Sequence, residues 1–296
     1  MKTHKLSGVG AAMITPFKSD LSIDWTTLGK MIDYVIEGGA DYIVALGTTA
    51  ETPTLSTEEK NEILRFTREK IAGRVPLVVG AGGNDTRALI EHIKQMDLEG
   101  VEALLCVTPY YNKPSQEGLY LHYKAVAEAA PRPIILYNVP GRTGVNMTAE
   151  TTCRLAADCP NIIAVKEASG KIDQIDQIIK NCPKDFLVLS GDDGMTIDVI
   201  RKGGDGVISV AVDAFPKCFS RVVYLCRQGL FDRAEEAYAP LHEAVCALFE
   251  QGNPTGVKAA LTILGQIENV LRLPLVPATD LLMKKLERLI REYDLC

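Results

Sequence analysis

The 296-residue sequence is long enough for one large domain or two ordinary ones. Hydrophobic residues make up 47% and charged residues 24%, which is typical of a soluble globular protein rather than a disordered one. The formal net charge of -6 argues against general binding to nucleic acid or to anionic membranes. No run of about 18 apolar residues is present, so no membrane span is predicted.

The N-terminal segment lacks the apolar stretch of an export signal, so we expect a cytoplasmic protein. No two cysteines form a C-x-x-C pair, and all are predicted to be reduced thiols, most of them in the core. They are Cys106, Cys153, Cys159, Cys182, Cys218, Cys226, Cys246 and Cys296.

Apolar runs alternate with amphipathic stretches through residues 1–229, which predicts successive strand–helix units. The predicted strands are residues 9–17, 42–46, 77–79, 103–107, 134–137, 162–166, 186–189 and 207–212. The predicted helices are residues 28–36, 57–73, 86–96, 116–130, 148–157, 172–180, 195–202 and 215–228. Eight parallel strands, each followed by a helix, indicate an α/β fold of the (β/α)8 TIM-barrel type.

Residues 230–296 form a separate C-terminal helical region in this interpretation. Three helices are predicted there, at residues 231–250, 255–269 and 278–293. We expect this appendage to pack on the barrel or on a partner subunit and to carry no chemistry.

The sixth predicted strand ends in Lys166. Burying an unpaired ammonium is costly, and the usual outcome is a lowered pKa that leaves a neutral amine. Neutral amines form Schiff bases with carbonyl substrates. The alternative is that Lys166 extends to solvent or pairs with the adjacent Glu167.

Other polar residues follow the strands where catalytic residues of such barrels lie. Thr48 and Thr49 follow strand two and either cap the next turn or hold a carboxylate. Tyr137 ends strand five and is either a packed aromatic or a proton donor beside the lysine. Arg142 is either a solvated loop residue or a partner for a substrate carboxylate. A lysine, tyrosines, an arginine and two hydroxyls at one rim favour the functional interpretation.

Metal and cofactor motifs are absent from the sequence. The glycine-rich residues 80–84 lack the spacing and lysine of a phosphate loop. The histidines are far apart, and Asp192-Asp193 alone does not make a metal site. The remaining chemistry is that of an aldolase without metal or cofactor.

Three motifs occur in one order along the barrel: Gly47-Thr48-Thr49-x-Glu51, Tyr137-Asn138-Val139-Pro140-Gly141-Arg142-Thr143 and Val165-Lys166-Glu167. With them the sequence resembles the dihydrodipicolinate synthase family over essentially its full length. That family belongs to the pyruvate-dependent class I aldolases, which also include N-acetylneuraminate lyase. The threonine pair, Tyr111 and Arg142 favour the synthases over the sugar-acid lyases.

The resemblance implies a lyase that condenses pyruvate with L-aspartate 4-semialdehyde in diaminopimelate and lysine biosynthesis. It implies that Lys166 forms the Schiff base with pyruvate. Tyr137 would be the general acid/base, linked through the Thr49 hydroxyl to Tyr111 of a neighbouring subunit. Relatives of this type are commonly homotetramers built as dimers of dimers.

The same resemblance implies the substrate contacts. Backbone groups of Thr48 and Thr49 would bind the pyruvate carboxylate. Gly191 and the carbonyl of Ile208 would line the pocket, and Arg142 would receive the carboxylate of the semialdehyde.

Two departures from the family pattern stand out. Ala50 replaces the usual glycine after the threonine pair, and Pro53 follows, so this loop is expected to be stiffer. Lysine-inhibited relatives carry histidine and glutamate in a pocket at the dimer interface. The matching positions here are Thr57, Lys60 and Ala88, with Asn84 and Tyr110 retained. This exchange predicts weak or absent inhibition by lysine.

Two alternative functions remain open from the sequence. A lyase that releases pyruvate from a keto-deoxy sugar acid would share Lys166 and Tyr137 but would have no evident use for Arg142. A barrel that senses a keto acid without turnover would not need the complete set of lysine, tyrosine and hydroxyl groups.

Overall fold

The computed structural model describes residues 4–294 and contains a closed barrel of eight parallel strands in the order β1 to β8. The strands are β1 Gly8–Ala12, β2 Tyr42–Ala45, β3 Leu77–Gly80, β4 Val101–Val107, β5 Ile134–Asn138, β6 Ile162–Glu167, β7 Leu187–Ser190 and β8 Gly206–Ser209. Pairing of Gly10 with Ile208 joins β1 to β8 and closes the barrel. The predicted (β/α)8 fold is confirmed.

Fourteen α-helices surround and extend the barrel within the described residues. They are α1 Trp25–Glu37, α2 Thr57–Ile71, α3 Thr86–Gln95, α4 Gln116–Ala129, α5 Pro140–Thr143, α6 Ala149–Asp158, α7 Ile172–Asn181, α8 Thr196–Arg201, α9 Ala211–Ala214, α10 Pro216–Arg227, α11 Phe231–Tyr238, α12 His242–Ala247, α13 Thr255–Ile263 and α14 Asp280–Glu292. None of the helices in residues 4–294 is both long and apolar enough to cross a lipid bilayer.

Local sequence signals account for several helix starts. Ser56 begins α2 with a capping box: its hydroxyl accepts from the Glu59 amide, and the Glu59 carboxylate accepts from the Ser56 amide. The side chains of Asp24 and Thr148 accept hydrogen bonds from the first turns of α1 and α6 in the same way. These caps fix where each helix leaves the barrel rim.

Some predicted boundaries differ from the structure. Strand β1 ends at Ala12 rather than at residue 17, and β8 ends at Ser209, after which the chain turns into the short helix α9. The helix predicted over residues 231–250 is interrupted by a 3-10 turn, Ala239–Leu241. Pro240 lies in this turn and lacks the N–H group that a continuous helix needs.

The cysteine prediction is wrong for one pair. Cys153 on α6 and Cys182 at the end of α7 form a disulfide, with their Cα atoms 4.7 Å apart. Helices α6 and α7 pack against each other, which brings together two cysteines that are 29 residues apart in sequence. Cys106, Cys159 and Cys226 are free and buried as predicted, whereas Cys296 lies outside the described residues.

Candidate active site

Lys166 and Tyr137 lie side by side at the carboxyl end of the barrel. They are directly paired across β5 and β6. Both are buried, and the Lys166 ammonium lies 4.5 Å from the centre of the Tyr137 ring. Among residues 4–294 no ion pair involves Lys166, so its amine is held against an aromatic face and remains chemically available.

Glu167 is directed away from Lys166, because successive residues of a strand point to opposite faces. Its carboxylate accepts hydrogen bonds from Asn138 Nδ2 at 3.0 Å, from Gln174 Nε2 at 2.8 Å and from the Ser169 amide at 2.9 Å. Burial raises the pKa of Glu167, against the lowering effect of these donors. The alternative in which Lys166 pairs with Glu167 is therefore wrong.

Gly191 packs against the stem of Lys166. A methyl group at Gly191 would come within 3.1 Å of Lys166 Cγ and 2.7 Å of Ala168 Cβ. The Gly191 amide also donates to the carbonyl of Glu167 at 2.8 Å. A side chain at position 191 would clash with Ala168 and crowd the stem of Lys166, so close packing favours glycine there.

Thr48 and Thr49 form a 3-10 turn, Thr48–Ala50, directly after β2. Thr49 is buried, and the hydroxyl of Thr15 donates to the carbonyl of Ala50 at 2.8 Å. The first N–H groups of such a turn have no partner inside it and can bind an anion. The methyl group of Ala50 is accommodated, since this residue is 2% exposed within the packed turn.

The C-terminal helical region also reaches this turn. Asn253 Nδ2 donates to the Thr49 hydroxyl at 2.9 Å, and the carbonyl of Asn253 accepts from Arg142 at 3.4 Å. Lys258 pairs with Glu51 at the end of the same turn. Sequence reasoning missed these residues because their contacts are distant along the chain. Asn253 is 204 positions from Thr49 and 111 from Arg142, and Lys258 is 207 positions from Glu51.

A cavity of about 390 Å³ opens at this rim and extends outward between α2 and α3. Tyr137, Arg142 and Thr48 line its inner part, while Lys60 and Tyr110 line its outer part. This volume suits a small metabolite. Lys166 is not among the residues that line this cavity and lies beside Tyr137, which is one of them.

Tyr111 lies outside this arrangement. Its side chain is 88% exposed, so within one chain it does not reach the buried Thr49. Its backbone has φ 76°, a conformation that is strained for a residue other than glycine. Leu46 and Glu51 have φ 55° and 54°, so strained residues flank the threonine turn as well.

No group of three or more His, Cys, Asp or Glu side chains in residues 4–294 could hold a metal ion. The carboxylate of Asp193 is buried near β8. Asp193 accepts hydrogen bonds from the amides of Val210 and Ala211, and burial raises its pKa. Asp193 thus fixes the segment that follows Ile208.

Comparisons with known proteins identify the family of this chain. Residues 5–293 match the model of the Dihydrodipicolinate synthetase family. The chain is 53% identical over 295 residues to a 4-hydroxy-tetrahydrodipicolinate synthase of Parabacteroides distasonis, covering 100% of this chain and 99% of the relative. It is 54% identical over 291 residues to the corresponding Phocaeicola vulgatus protein, covering 98% of each.

Solved structures give the same result. A dihydrodipicolinate synthase from Thermotoga maritima superposes with a TM-score of 0.96 at 42% identity, over 99% of this chain and 100% of that one. A structure described as the first monomeric dihydrodipicolinate synthase variant also has a TM-score of 0.96 at 42% identity, covering 99% and 98%.

The hydrogen bond from Asn138 to Glu167 on the outer face of β5 and β6 is predicted to stabilise the fold. Asn138→Ala removes the donor to Glu167 and leaves a buried carboxylate less satisfied, which should cost about 1–3 kcal/mol. For a chain of this size we expect Tm to fall by about 2–4 °C for each kcal/mol, measured by thermal unfolding. The exposed Asn112 provides the control, and Asn112→Ala should leave Tm unchanged. Equal Tm values for the two variants would contradict the role of Asn138.

Proposed function

Because the chain belongs to the dihydrodipicolinate synthetase family, we propose that it acts as a 4-hydroxy-tetrahydrodipicolinate synthase. This lyase condenses pyruvate with L-aspartate 4-semialdehyde, a step in diaminopimelate and lysine biosynthesis. The observation that carries the proposal is the buried amine of Lys166, which lies against Tyr137 and has no carboxylate partner within the described part of the chain.

The proposed reaction begins at Lys166. Its amine attacks the carbonyl carbon of pyruvate, water leaves, and an imine forms. Loss of a methyl proton gives the enamine, whose carbon attacks the aldehyde carbon of the second substrate. The amine of that substrate then displaces Lys166, and the cyclic product leaves. Tyr137 donates and recovers the protons of these steps, since it lies on the neighbouring strand at the same level.

The surrounding residues bind and orient the substrates in this proposal. Amides of Thr48 and Thr49 receive the pyruvate carboxylate, and Gly191 and the Ile208 carbonyl shape the closed end of the pocket. Arg142 lines the cavity, and its planar guanidinium suits the carboxylate of the semialdehyde. No observation favours the sugar-acid lyase, and none favours a binding protein without turnover.

We further propose that the enzyme works as a homotetramer built from two dimers. The exposed and strained Tyr111 would cross to a neighbouring subunit and join the proton relay through Thr49. Tyrosine 110, which is 42% exposed, would lie at the same contact. We place this activity in the cytoplasm, where pyruvate and amino-acid precursors are available.

Arg142→Ala tests the assignment of the second substrate. Loss of a charge-assisted hydrogen-bonding partner is worth about 1.5–3 kcal/mol. We therefore expect KM for L-aspartate 4-semialdehyde to rise about 10–100-fold, with KM for pyruvate little changed. Steady-state kinetics with each substrate varied in turn measure both constants. Arg142→Lys is the matched control. Its KM for the semialdehyde should lie between those of the unmodified protein and Arg142→Ala, because lysine keeps the charge but lacks the planar guanidinium. Turnover of keto-deoxy sugar acids instead of the semialdehyde would contradict the proposal.

Inhibition by lysine is expected to be weak or absent. Lys60 lines the outer part of the cavity and would repel the ammonium of the ligand, and Ala88 offers no carboxylate to bind it. Initial rates at increasing lysine concentration should stay constant into the millimolar range. Ala88→Glu supplies a carboxylate and should increase sensitivity. Strong inhibition of the unmodified protein at micromolar lysine would show that the pocket works differently.

Mixing two inactive variants tests whether Tyr111 crosses between subunits. In a hybrid of Tyr111→Phe and Lys166→Ala chains, a crossing tyrosine leaves one site with both native residues. Activity should therefore appear after the variants are unfolded together and refolded, although each alone is nearly inactive. If Tyr111 served its own chain, the hybrid would contain no intact site and no activity would return.

A further inference from the structure

A buried ion pair joins the threonine turn to the C-terminal helical region, residues 230–296. Lys258 of α13 donates to Glu51 Oε1 at 2.5 Å and to the carbonyl of Val270 at 2.9 Å. Both side chains of the pair are completely shielded from solvent. Lys258 is thus a second deeply buried lysine among residues 4–294, and unlike Lys166 it is paired.

The second carboxylate oxygen of Glu51 is bound by the same region. Its Oε2 accepts from the Arg272 amide at 3.0 Å. The Arg272 guanidinium in turn donates to Glu59 Oε2 at 2.7 Å and to the carbonyl of Thr54 at 3.0 Å. The loop between the threonine turn and α2 is therefore attached at both ends to one C-terminal segment.

Glu51 follows the threonine turn directly and has the left-handed φ of 54°. Such a conformation is strained in a residue other than glycine and persists only where the surroundings enforce it. The contacts of Glu51 with Lys258 and Arg272 hold Glu51 in this conformation. Buried ion pairs are often no more stabilising than apolar replacements, so stability alone does not account for this pair.

Resting on the proposed function, we propose that Lys258 is a positioning residue for catalysis. Acting through Glu51, it holds the backbone of Thr48 and Thr49 in the conformation that receives the pyruvate carboxylate. Lys258 does not touch substrate in this account. The C-terminal helical region is therefore part of the catalytic unit rather than an appendage.

The charge state of the pair links this role to pH. Burial lowers the pKa of Lys258 to about 8, although the attraction of Glu51 opposes the shift and Arg272 adds to it. Lys258 also faces the ring of Phe17, 4.3 Å from its ammonium, and Glu59 lies beyond Arg272. Because the pKa is lowered, Lys258 is charged below pH 8 and loses its proton, and with it the ion pair, as the pH rises further.

The double variant Glu51→Gln/Lys258→Met tests the proposal. Removing both charges avoids an unpaired buried ion, so we expect a folded protein by circular dichroism and thermal unfolding. Amide hydrogen exchange of residues 47–52 should become at least about tenfold faster, whereas exchange in the barrel strands should not change. KM for pyruvate should rise about tenfold, equivalent to about 1.4 kcal/mol.

The matched control removes an exposed pair. Arg154 and Glu117 are joined at 2.6 Å but lie largely in solvent. The variant Arg154→Met/Glu117→Gln should keep native exchange in residues 47–52 and native KM. A folded Glu51→Gln/Lys258→Met variant with native exchange or native KM for pyruvate would overturn the proposal.

A measurement on the unmodified protein covers the case in which the double variant does not fold. Opening of the turn that releases Lys258 to water restores its ordinary pKa of 10.5 from the lowered value of about 8, so opening takes up a proton between these values. Exchange protection of residues 47–52, corrected for the intrinsic effect of pH, should therefore rise with pH over that range if opening breaks the Lys258 contact. Unchanged protection across that range would contradict the proposal. Because exchange needs no substrate, an unmodified protein that responds in this way but fails to condense the two substrates would refute the proposed function alone.

Discussion

The candidate site depends on closure of the parallel barrel. Closure brings the carboxyl ends of all eight strands to one rim, and the pairing of β5 with β6 places Tyr137 beside Lys166. A shift of β6 by one residue would turn Lys166 outward and Glu167 inward. The outer-face hydrogen bonds of Glu167 to Asn138 and Gln174 resist such a shift. The hydrogen-bonding network on one face of the strand therefore maintains the chemistry on the other.

The threonine turn is held in place by contacts from other parts of the chain. It lies in a loop flanked by residues with strained backbones, so its shape is not determined by its own sequence alone. Hydrogen bonds from Thr15 on one side and from Asn253 on the other fix it, and the Glu51–Lys258 pair anchors its end. The strand ends and the C-terminal helical region thus act on the same few residues.

Much of this arrangement could be predicted from the sequence because it follows short-range patterns. Alternating apolar and amphipathic segments gave the barrel, and polar residues at strand ends gave Lys166, Tyr137 and Arg142. What could not be predicted depends on contacts between distant residues. Glu51 lies 207 positions from Lys258 and Thr49 lies 204 positions from Asn253, and no local pattern marks these pairs. The Cys153–Cys182 disulfide likewise required the packing of two helices.

The most direct test of the account is reduction of the protein with borohydride in the presence of pyruvate, followed by peptide mass mapping. The account predicts one pyruvate-derived adduct, on Lys166, and none in Lys166→Ala. Lys258 serves as an internal control, since it is equally buried but bound to Glu51, and should remain unmodified. No adduct, or an adduct on another lysine, would contradict the assignment of Lys166 as the amine that forms the Schiff base.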